Sequence, residues 1–344
     1  MATVTLGKTN LTVNKNGFGA LPLQRATMDE AVKILRKAYE NGINYYDTAI
    51  GYTDSEDKIG AALSDVREHF YLATKTPSKT VEGFWKDLET SLTRMKTDHV
   101  DVYQFHNPAF CPKPGDGTGL YEAMLEAKKQ GKIRFIGMTN HRLAVAEEAV
   151  KSDLYDTLQF PFSYLASEKD IELVKLCKEH NVGFIAMKGM SGGILTNSAA
   201  AYAFMNQFDN VLPIWGVQRM HELEEFLSYD SDPPQMSGEI EAMIASDKKE
   251  LSGNFCRGCA YCQPCPAGIE ISLSARMYWI LRRMPGDRFL TPEWQEKMER
   301  IENCIHCNHC VDHCPYGLNT PELLRQNLID YRAYLKEHNI PTGK

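Results

Sequence analysis

The chain contains no apolar run approaching the roughly eighteen uninterrupted residues of a membrane-spanning helix. Its opening, MATVTLGKTN, lacks the basic start and apolar core of a secretory signal, so a cytoplasmic protein without a membrane partner is expected. Positive charge is scarce as well. Lys and Arg total 38 against 45 Asp and Glu, a formal net charge of -7, and they form no stripe. A nucleic-acid surface needs a clustered positive excess, so that class is excluded. No GxGxxG follows the first β-rich run, as a phosphate-binding turn in an open dinucleotide-binding sheet would require. Cysteine is nearly missing from the first 250 residues, where Cys111 and Cys177 stand alone, whereas the other eight fall between 256 and 314. Without an export signal a disulfide framework is disfavoured, and metal ligation is the better reading of that cluster.

What is present is ordinary for a soluble protein with a large core: 43% apolar and 24% charged residues over 344 positions. From residue 16 to 230, β-rich runs alternate with amphipathic helical stretches. The runs are GFGAL (17–21), INYYDTA (43–49), FYLATK (70–75), VDVYQFH (100–106), IRFIGMT (133–139), TLQFPF (157–162), VGFIAMK (182–188) and VLPIWGV (211–217). Continuous apolar strands joined by helices predict a parallel (β/α)8 barrel rather than an antiparallel fold. LGKTNLTVNKN, ahead of the first run, suits a hairpin closing the barrel bottom. The acidic, Pro-containing segment SYDSDPPQMSG (228–238) marks a boundary, giving an expected barrel over 1–232 and a second domain over 233–344.

Active sites of such barrels lie at the C-terminal strand ends. The second run delivers Asp47 and, just beyond, Tyr52; the third ends in Lys75 and the fourth in His106. Singly, each is commonly a cap, a rim residue or a loop histidine. Together they place complementary ionisable groups on three consecutive strands, which a purely structural role does not require. Tyrosine, with an unperturbed pKa near ~10, is a poor acid unless its anion is stabilised, and a lysine held by an aspartate supplies the charge. His106 is then placed to hydrogen-bond a substrate oxygen. The set suits protonation of a carbonyl oxygen by Tyr52 while a hydride reaches the carbon.

On YDTAIGY (Asp47, Tyr52), LATKTP (Lys75), DVYQFHNP (His106) and FIGMTNH (Thr139, Asn140), the chain resembles the aldo-keto reductase family over roughly residues 1–230. The resemblance implies the catalytic tetrad Asp47, Tyr52, Lys75 and His106, and a nicotinamide cofactor bound without a GxGxxG turn. It further implies that Thr139, Asn140 and Gln159 hold the carboxamide, that Gly19 and Gly216 lie against the cofactor, and that Arg219 in GVQRMHELEEF meets a 2′-phosphate. That last contact favours NADPH over NADH. Two departures stand out. Met187 and Lys188 replace the aromatic that stacks on the nicotinamide in many members, although MSGGIL beyond them keeps small residues able to approach the pyrophosphate. The usual long C-terminal substrate loop is replaced by another domain. Phe18, Trp85, Phe110 and Met190 are candidate pocket walls, with core or loop packing as their alternative.

The second region carries CRGCAYCQPCP (Cys256, Cys259, Cys262, Cys265) and CIHCNHCVDHCP (Cys304, Cys307, Cys310, Cys314). The latter is a C-x2-C-x2-C-x3-C-P run, the bacterial ferredoxin signature for [4Fe–4S]. Structural zinc usually takes cysteine pairs separated by longer loops, so two dense quartets fit iron and sulfide better. In the two-cluster pattern Cys256, Cys259, Cys262 and Cys314 hold one cluster, and Cys304, Cys307, Cys310 and Cys265 the other. The first motif has two residues rather than three before its Cys-Pro, so spacing fixes Cys265 least. His306, His309 and His313 face solvent or sulfur on this reading. ISLSARMYWILRRM (271–284) is predicted as one helix between the motifs. Overall the chain is similar to iron–sulfur-bearing aldo-keto reductases, with a barrel followed by a small α-rich ferredoxin-like domain.

Three functions compete. The first is an NAD(P)H-dependent reductase of an aldehyde or ketone, with two clusters in a structural or electron-transfer role. The second is a ferredoxin-linked oxidoreductase whose clusters feed a substrate or mediator in the barrel, with a redox protein such as ferredoxin as partner. The third is a sensing or carrier protein without turnover, against which the intact Asp47, Tyr52, Lys75 and His106 speak.

Overall fold

The computed structural model describes residues 2–251 and 255–342. Two compact units appear: Met1–Gly189 with Ser198–Ser237, and Met190–Asn197 with Gly238–Lys344.

The first unit is a closed barrel of eight parallel strands preceded by an antiparallel hairpin of β1 (Thr3–Thr5) and β2 (Thr12–Asn14). The barrel strands are β3 (Gly17–Gly19), β4 (Tyr45–Asp47), β5 (Tyr71–Thr76), β6 (Val100–His106), β7 (Ile133–Thr139), β8 (Thr157–Pro161), β9 (Gly183–Met187) and β10 (Val211–Gly216), with β10 closing on β3. Each falls within or beside an apolar run expected from the sequence, shorter where Gly and Asn end it. The crossovers are α1 (Met28–Glu40), α2 (Ser55–Leu63), α3 (Val81–Met95), α4 (Leu120–Lys129), α5 (Leu143–Lys151), α6 (Glu168–Glu179), α7 (Ser198–Asn206) and α8 (Met220–Ser231). Capping boxes start two of them: Thr27 with Glu30 on α1 and Ser167 with Asp170 on α6.

Strand periodicity decides which side chain faces the chemistry. In β4, Tyr45 points inward among Val102, Ile185, Leu212 and Ile214, while Tyr46 points outward to the layer holding Ile34, Leu35 and Phe70. Asp47, two residues after Tyr45, therefore returns to the interior. Val4, Leu6, Leu11 and Val13 of the hairpin join the inward cluster and plug the barrel. Phe18 and Trp85 belong to the outer layer instead: Phe18 lies against Tyr46, and Trp85 packs edge-on to Phe84 with Lys132 over its ring. Neither walls a pocket, because a strand residue one step out of phase, or one on a crossover helix, faces away from the barrel axis. Phe110 is exposed.

The second unit contains α9 (Gly238–Glu250), α10 (Ile271–Ser274), α11 (Met277–Arg283), α12 (Pro292–Glu299), α13 (His309–Asp312) and α14 (Thr320–Glu337). The predicted 271–284 helix is broken between α10 and α11: Ala275 caps α10 still in right-handed helical geometry, and Arg276 leaves it at φ -119° and ψ 1°. Leu324, Leu328, Tyr331 and Leu335 form the buried stripe of α14 and meet Ile271, Met277, Ile280 and Phe289. Asn327 on α14 accepts the Tyr278 backbone N–H at 2.9 Å, and the Tyr331 hydroxyl donates to the Phe289 carbonyl at 2.6 Å.

At the start of β6, buried Asp101 organises the strand that carries His106. Its Oδ2 accepts the Leu72 N–H at 2.9 Å and Arg67 Nη2 at 2.8 Å, and Arg134 reaches its other oxygen. Replacement by Ala strands the buried Arg67 guanidinium and one ladder N–H. Asp101→Ala is expected to lower the unfolding free energy by about 3–5 kcal/mol in urea titration, as when one partner of a buried pair is removed.

Candidate functional site

Four strands converge on the Lys75 ammonium and the Asp47 carboxylate. Lys75 Nζ donates to Asp47 Oδ1 and to the Thr48 carbonyl, both at 2.6 Å. Gln104 Nε2 on β6 donates to Asp47 Oδ2 at 3.2 Å, and Gln159 Nε2 on β8 to Oδ1 at 3.4 Å. All four residues are almost wholly buried. Gln104 was not anticipated as a site residue. It lies two positions before His106, so strand alternation points it to the same interior, a signal legible in VDVYQFH. Burial pushes the Asp47 carboxyl above its ordinary range, and the Lys75 charge and the donated hydrogen bonds pull it back.

Tyr52 sits in the turn between β4 and α2, its N–H bonded to the Ala49 carbonyl at 2.9 Å. Lys75 Nζ lies 5.2 Å from its ring centroid, and His106 stands edge-on to that ring at 5.9 Å. The structure thus brings Asp47, Tyr52, Lys75 and His106 together. Burial raises the Tyr52 phenol, and the opposing pull of Lys75 reduces that rise without cancelling it. His106 is lowered to about 3 by burial and then by the Lys75 charge, so its imidazole is neutral at physiological pH. Such a site can donate a proton from a phenol and a hydrogen bond from a neutral imidazole.

The residues expected to hold a nicotinamide are distributed around this centre. Gly19 pairs with Asp47 and with Gly216, and Thr139 pairs with both His106 and Gln159. Gln159 Oε1 is buried without a protein partner, an open acceptor beside the tetrad that suits a carboxamide N–H. Asn140 is spoken for at both ends: its Nδ2 donates to the Pro108 carbonyl at 2.9 Å and its Oδ1 accepts the Arg142 N–H at 2.9 Å. Its side chain ties the loop after β7 to the loop after β6. The Thr139 hydroxyl lies 3.9 Å from the Met187 sulfur. Arg219 is exposed at the start of α8, where the Glu222 carboxylate already accepts the backbone N–H groups of Gln218 at 2.8 Å and Arg219 at 3.0 Å.

In the second unit the eight clustered cysteines line two cavities. Cys256, Cys259, Cys262 and Cys314 line one together with Arg257, His313 and Tyr316, and Cys310 reaches its edge. Cys265, Cys304, Cys307 and Cys310 line the other, with His309 and Ile305. Four thiolates on one zinc ion would meet within about 4 Å of one another, given Zn–S bonds near 2.3 Å. Among the described residues no group of three metal-ligating side chains converges so closely. The sulfurs instead surround volumes, as ligands to the corners of a larger group do. Burial pushes the Cys262 thiol up to about 12 and raises Cys256 and Cys310, so metal loading must release protons there.

Comparison with known proteins agrees with both halves. Residues 15–228 match the Aldo/keto reductase family, and residues 255–318 match the 4Fe-4S dicluster domain. The chain is 31% identical over 205 residues to the uncharacterized oxidoreductase YqkF of Bacillus subtilis, covering 56% of this chain and 65% of that protein. It is 30% identical over 211 residues to L-galactose dehydrogenase of Arabidopsis thaliana, covering 56% of this chain and 66% of that protein. It is also 30% identical over 210 residues to methylglyoxal reductase DkgB of Salmonella typhimurium, covering 56% and 74%. The chain thus spans just under two thirds of the first two relatives. In fold it matches aldo-keto reductase AKR11C1 from Bacillus halodurans (TM-score 0.63, 22% identity, 72% of this chain and 96% of that one). An aldo-keto reductase from Klebsiella pneumoniae in complex with NADPH matches similarly (TM-score 0.61, 22% identity, 72% and 95%). Among the described residues no helix is long and apolar enough to cross a membrane. The chain belongs to the aldo/keto reductase family, as an oxidoreductase whose (β/α)8 barrel is followed by a ferredoxin-like 4Fe-4S domain.

Proposed function

We propose that the barrel reduces an aldehyde or ketone with NADPH or NADH, and that the second unit carries two [4Fe–4S] clusters. The observation supporting the reduction is the buried Lys75–Asp47 pair beside Tyr52, with neutral His106 edge-on to the same ring. When bound, the nicotinamide supplies a hydride. The chain's own groups handle the proton: His106 donates a hydrogen bond to the carbonyl oxygen, Tyr52 gives that oxygen its phenolic proton, and Lys75 stabilises the phenolate left behind. Asp47 holds Lys75 in place, and Gln159 Oε1 offers the carboxamide an acceptor. Several relatives are named for reduction of methylglyoxal, so a small 2-oxoaldehyde is the first substrate to assay. Cytoplasmic residence accords with this chemistry.

A second reading makes the clusters the electron source for a substrate or mediator in the barrel, with a ferredoxin-type donor. It is favoured by the two cysteine-lined cavities. Substrate-dependent reoxidation of pre-reduced clusters in the absence of nicotinamide would distinguish it from the first.

Tyr52→Phe is expected to lower kcat for methylglyoxal reduction by about 10²–10⁴-fold, the usual worth of general acid catalysis, with NADPH binding unchanged by fluorescence titration. A variant as active as the wild type would remove Tyr52 as the general acid.

The pH profile follows from the two shifts. His106, lowered to about 3, gains no proton between pH 5 and 8, so kcat/KM should show no ascending limb near the ordinary histidine pKa of ~6.5. The raised Tyr52 phenol keeps its proton through neutrality, and activity falls only in alkali. For stability the sign is opposite to that of a salt-bridged histidine. The unfolded chain protonates His106 below pH ~6.5 while the native state does not, so its contribution is present above that pH and is lost as pH falls toward 3. A profile rising through pH 6.5 and abolished in His106→Asn would contradict this assignment.

Coenzyme choice turns on α8. Arg219 attracts a 2′-phosphate, whereas Glu222 already occupies the backbone donors beside it and repels a second anion. Glu222→Gln is expected to improve NADPH affinity relative to NADH by roughly threefold to tenfold, the worth of a screened charge at a helix N-terminus. Isothermal titration with both dinucleotides checks the ratio.

A further inference from the structure

One buried cation in the second unit is unused by any of this chemistry. Arg276, at the break between α10 and α11, is 7% exposed. Its Nη2 donates to the carbonyls of Gly192 at 3.1 Å and Ser191 at 3.4 Å, in a segment that belongs to the same unit. The guanidinium also abuts the first cysteine loop: a Cβ on Gly258 would lie 2.4 Å from Nη1, and one on Gly192 would lie 3.1 Å from Nη2. A side chain at Gly258 would displace Nη1, and the φ of +62° there is left-handed as well. The Gly258 N–H in turn points at Cys256 Sγ, 3.5 Å away. The positive charge of Arg276 is thereby anchored by two carbonyls on one side and held beside a cluster ligand on the other.

The two cavities differ in this respect. Arg257 also lines the first, but it is exposed and lies over the Tyr316 ring at 4.6 Å, where solvent screens it. Among the described residues lining the second cavity there is no Lys or Arg. That cavity is also the more open to water, with Cys307 exposed and Ile305 65% exposed. Reduction adds one negative charge to a cluster, and cluster potential follows local charge, hydrogen bonds to sulfur and exposure. Water favours the reduced, more negative state of the exposed second cluster, whereas a buried, unscreened cation beside the first alone favours the reduced state there; a separation in favour of the first requires the cation to be the larger effect.

We propose that Arg276 makes the cluster of Cys256, Cys259, Cys262 and Cys314 the higher-potential member, so that it draws electrons from the cluster of Cys265, Cys304, Cys307 and Cys310. The step moves one electron: the donor cluster passes from [4Fe–4S]1+ to 2+, the acceptor from 2+ to 1+, and no atom or proton is transferred. Electrons enter from an external one-electron donor at the exposed Cys307 side. Arg276 is a positioning residue for charge, and the inference rests on the two-cluster reading.

The test is an EPR-monitored dithionite titration of the full chain, reconstituted anaerobically, with iron and sulfide quantified first. Wild type should hold two clusters' worth of iron and show two potentials. In Arg276→Gln the upper couple should become about tenfold harder to reduce, ~59 mV for one electron, with the lower couple unmoved. Arg276→Lys, which keeps the charge, should leave the upper couple near its wild-type position. The proposal is overturned if the lower couple moves, if both move together, if neither moves, or if Lys falls as far as Gln. Should Arg276→Gln fail to load, Gly192→Ala, which crowds Nη2 from outside the cysteine loop, takes its place; an unmoved upper couple there also overturns it. One cluster's worth of iron in the wild type would instead remove the two-cluster reading itself.

Discussion

The ion pair between Lys75 and Asp47 is the constraint around which the barrel's chemistry is arranged. Burying two opposite charges costs several kcal/mol per ion before their attraction is counted, and the pair persists only where the remaining valences are met. Thr48 supplies a carbonyl to the ammonium, while Gln104 and Gln159 supply amide donors to the carboxylate. These groups come from β4, β5, β6 and β8 and their adjoining turns, half the strands of the barrel. An incompletely closed sheet would leave both charges in an apolar interior, so closure and the assembly of the site are the same event. Asp47 interrupts an apolar run because strand alternation, having sent Tyr45 inward, sends the carboxylate inward two residues later.

Protonation follows from that burial. A lysine beside a phenol invites the expectation of a tyrosine with a low pKa, ionised and ready to act as a base. Desolvation of the ring is the larger effect here, and Tyr52 keeps its proton. The same low-dielectric surroundings, with the Lys75 charge added, strip His106 of its second proton. Both shifts favour the neutral form, and both leave a donor aimed at an oxygen. A site poised in this way suits reduction of a carbonyl, with Lys75 exerting its influence as the phenolate develops rather than before.

Much of this was legible in the sequence, and what was missed has physical causes. Eight apolar runs identified the strands, because parallel strands buried on both faces leave few other sequences possible, and their polar ends pointed to Asp47, Tyr52, Lys75 and His106, which the barrel brings together. The hairpin plug was legible too, from two short alternating runs around a Gly-Lys-Thr-Asn turn. Whether Phe18 and Trp85 wall a pocket or pack in the core stayed open because aromatic character says nothing about phase; Phe18 needed its register beside Gly19 and Asp47 to be placed in the outer core. The helix over 271–284 reads as continuous because Ala275 and Arg276 are both good helix formers. The break falls at Arg276, whose guanidinium bonds the distant carbonyls of Ser191 and Gly192, contacts that no local propensity records. Gln104 hid in plain sight, since a glutamine inside an apolar strand is conspicuous only once the interior is known to hold a carboxylate. Asn140 also braces two loops, a use that depends on the 32-residue separation between Asn140 and Pro108 and has no sequence signature.

On the proposed function the two units would handle electrons in different parcels. Hydride transfer moves two together, whereas a [4Fe–4S] cluster takes one, and the tetrad offers no group that accepts a single electron: phenol, imidazole, ammonium and carboxylate manage protons only. Every group that orients Lys75 and Asp47 comes from the barrel, so the proposed proton transfer would need no cysteine. The two clusters of the proposed reading could nonetheless store the two electrons that a hydride equivalent represents, provided that a mediator converts pairs into singles. A pair of equal potentials would share an arriving electron indifferently. Unequal potentials give the second unit a direction, and a buried arginine on one side is the simplest means of making them unequal. Whether the barrel uses that store or stands apart from it therefore depends on a mediator rather than on the tetrad, and residues that tune one cluster act on the electron chemistry without touching the protonation of Tyr52.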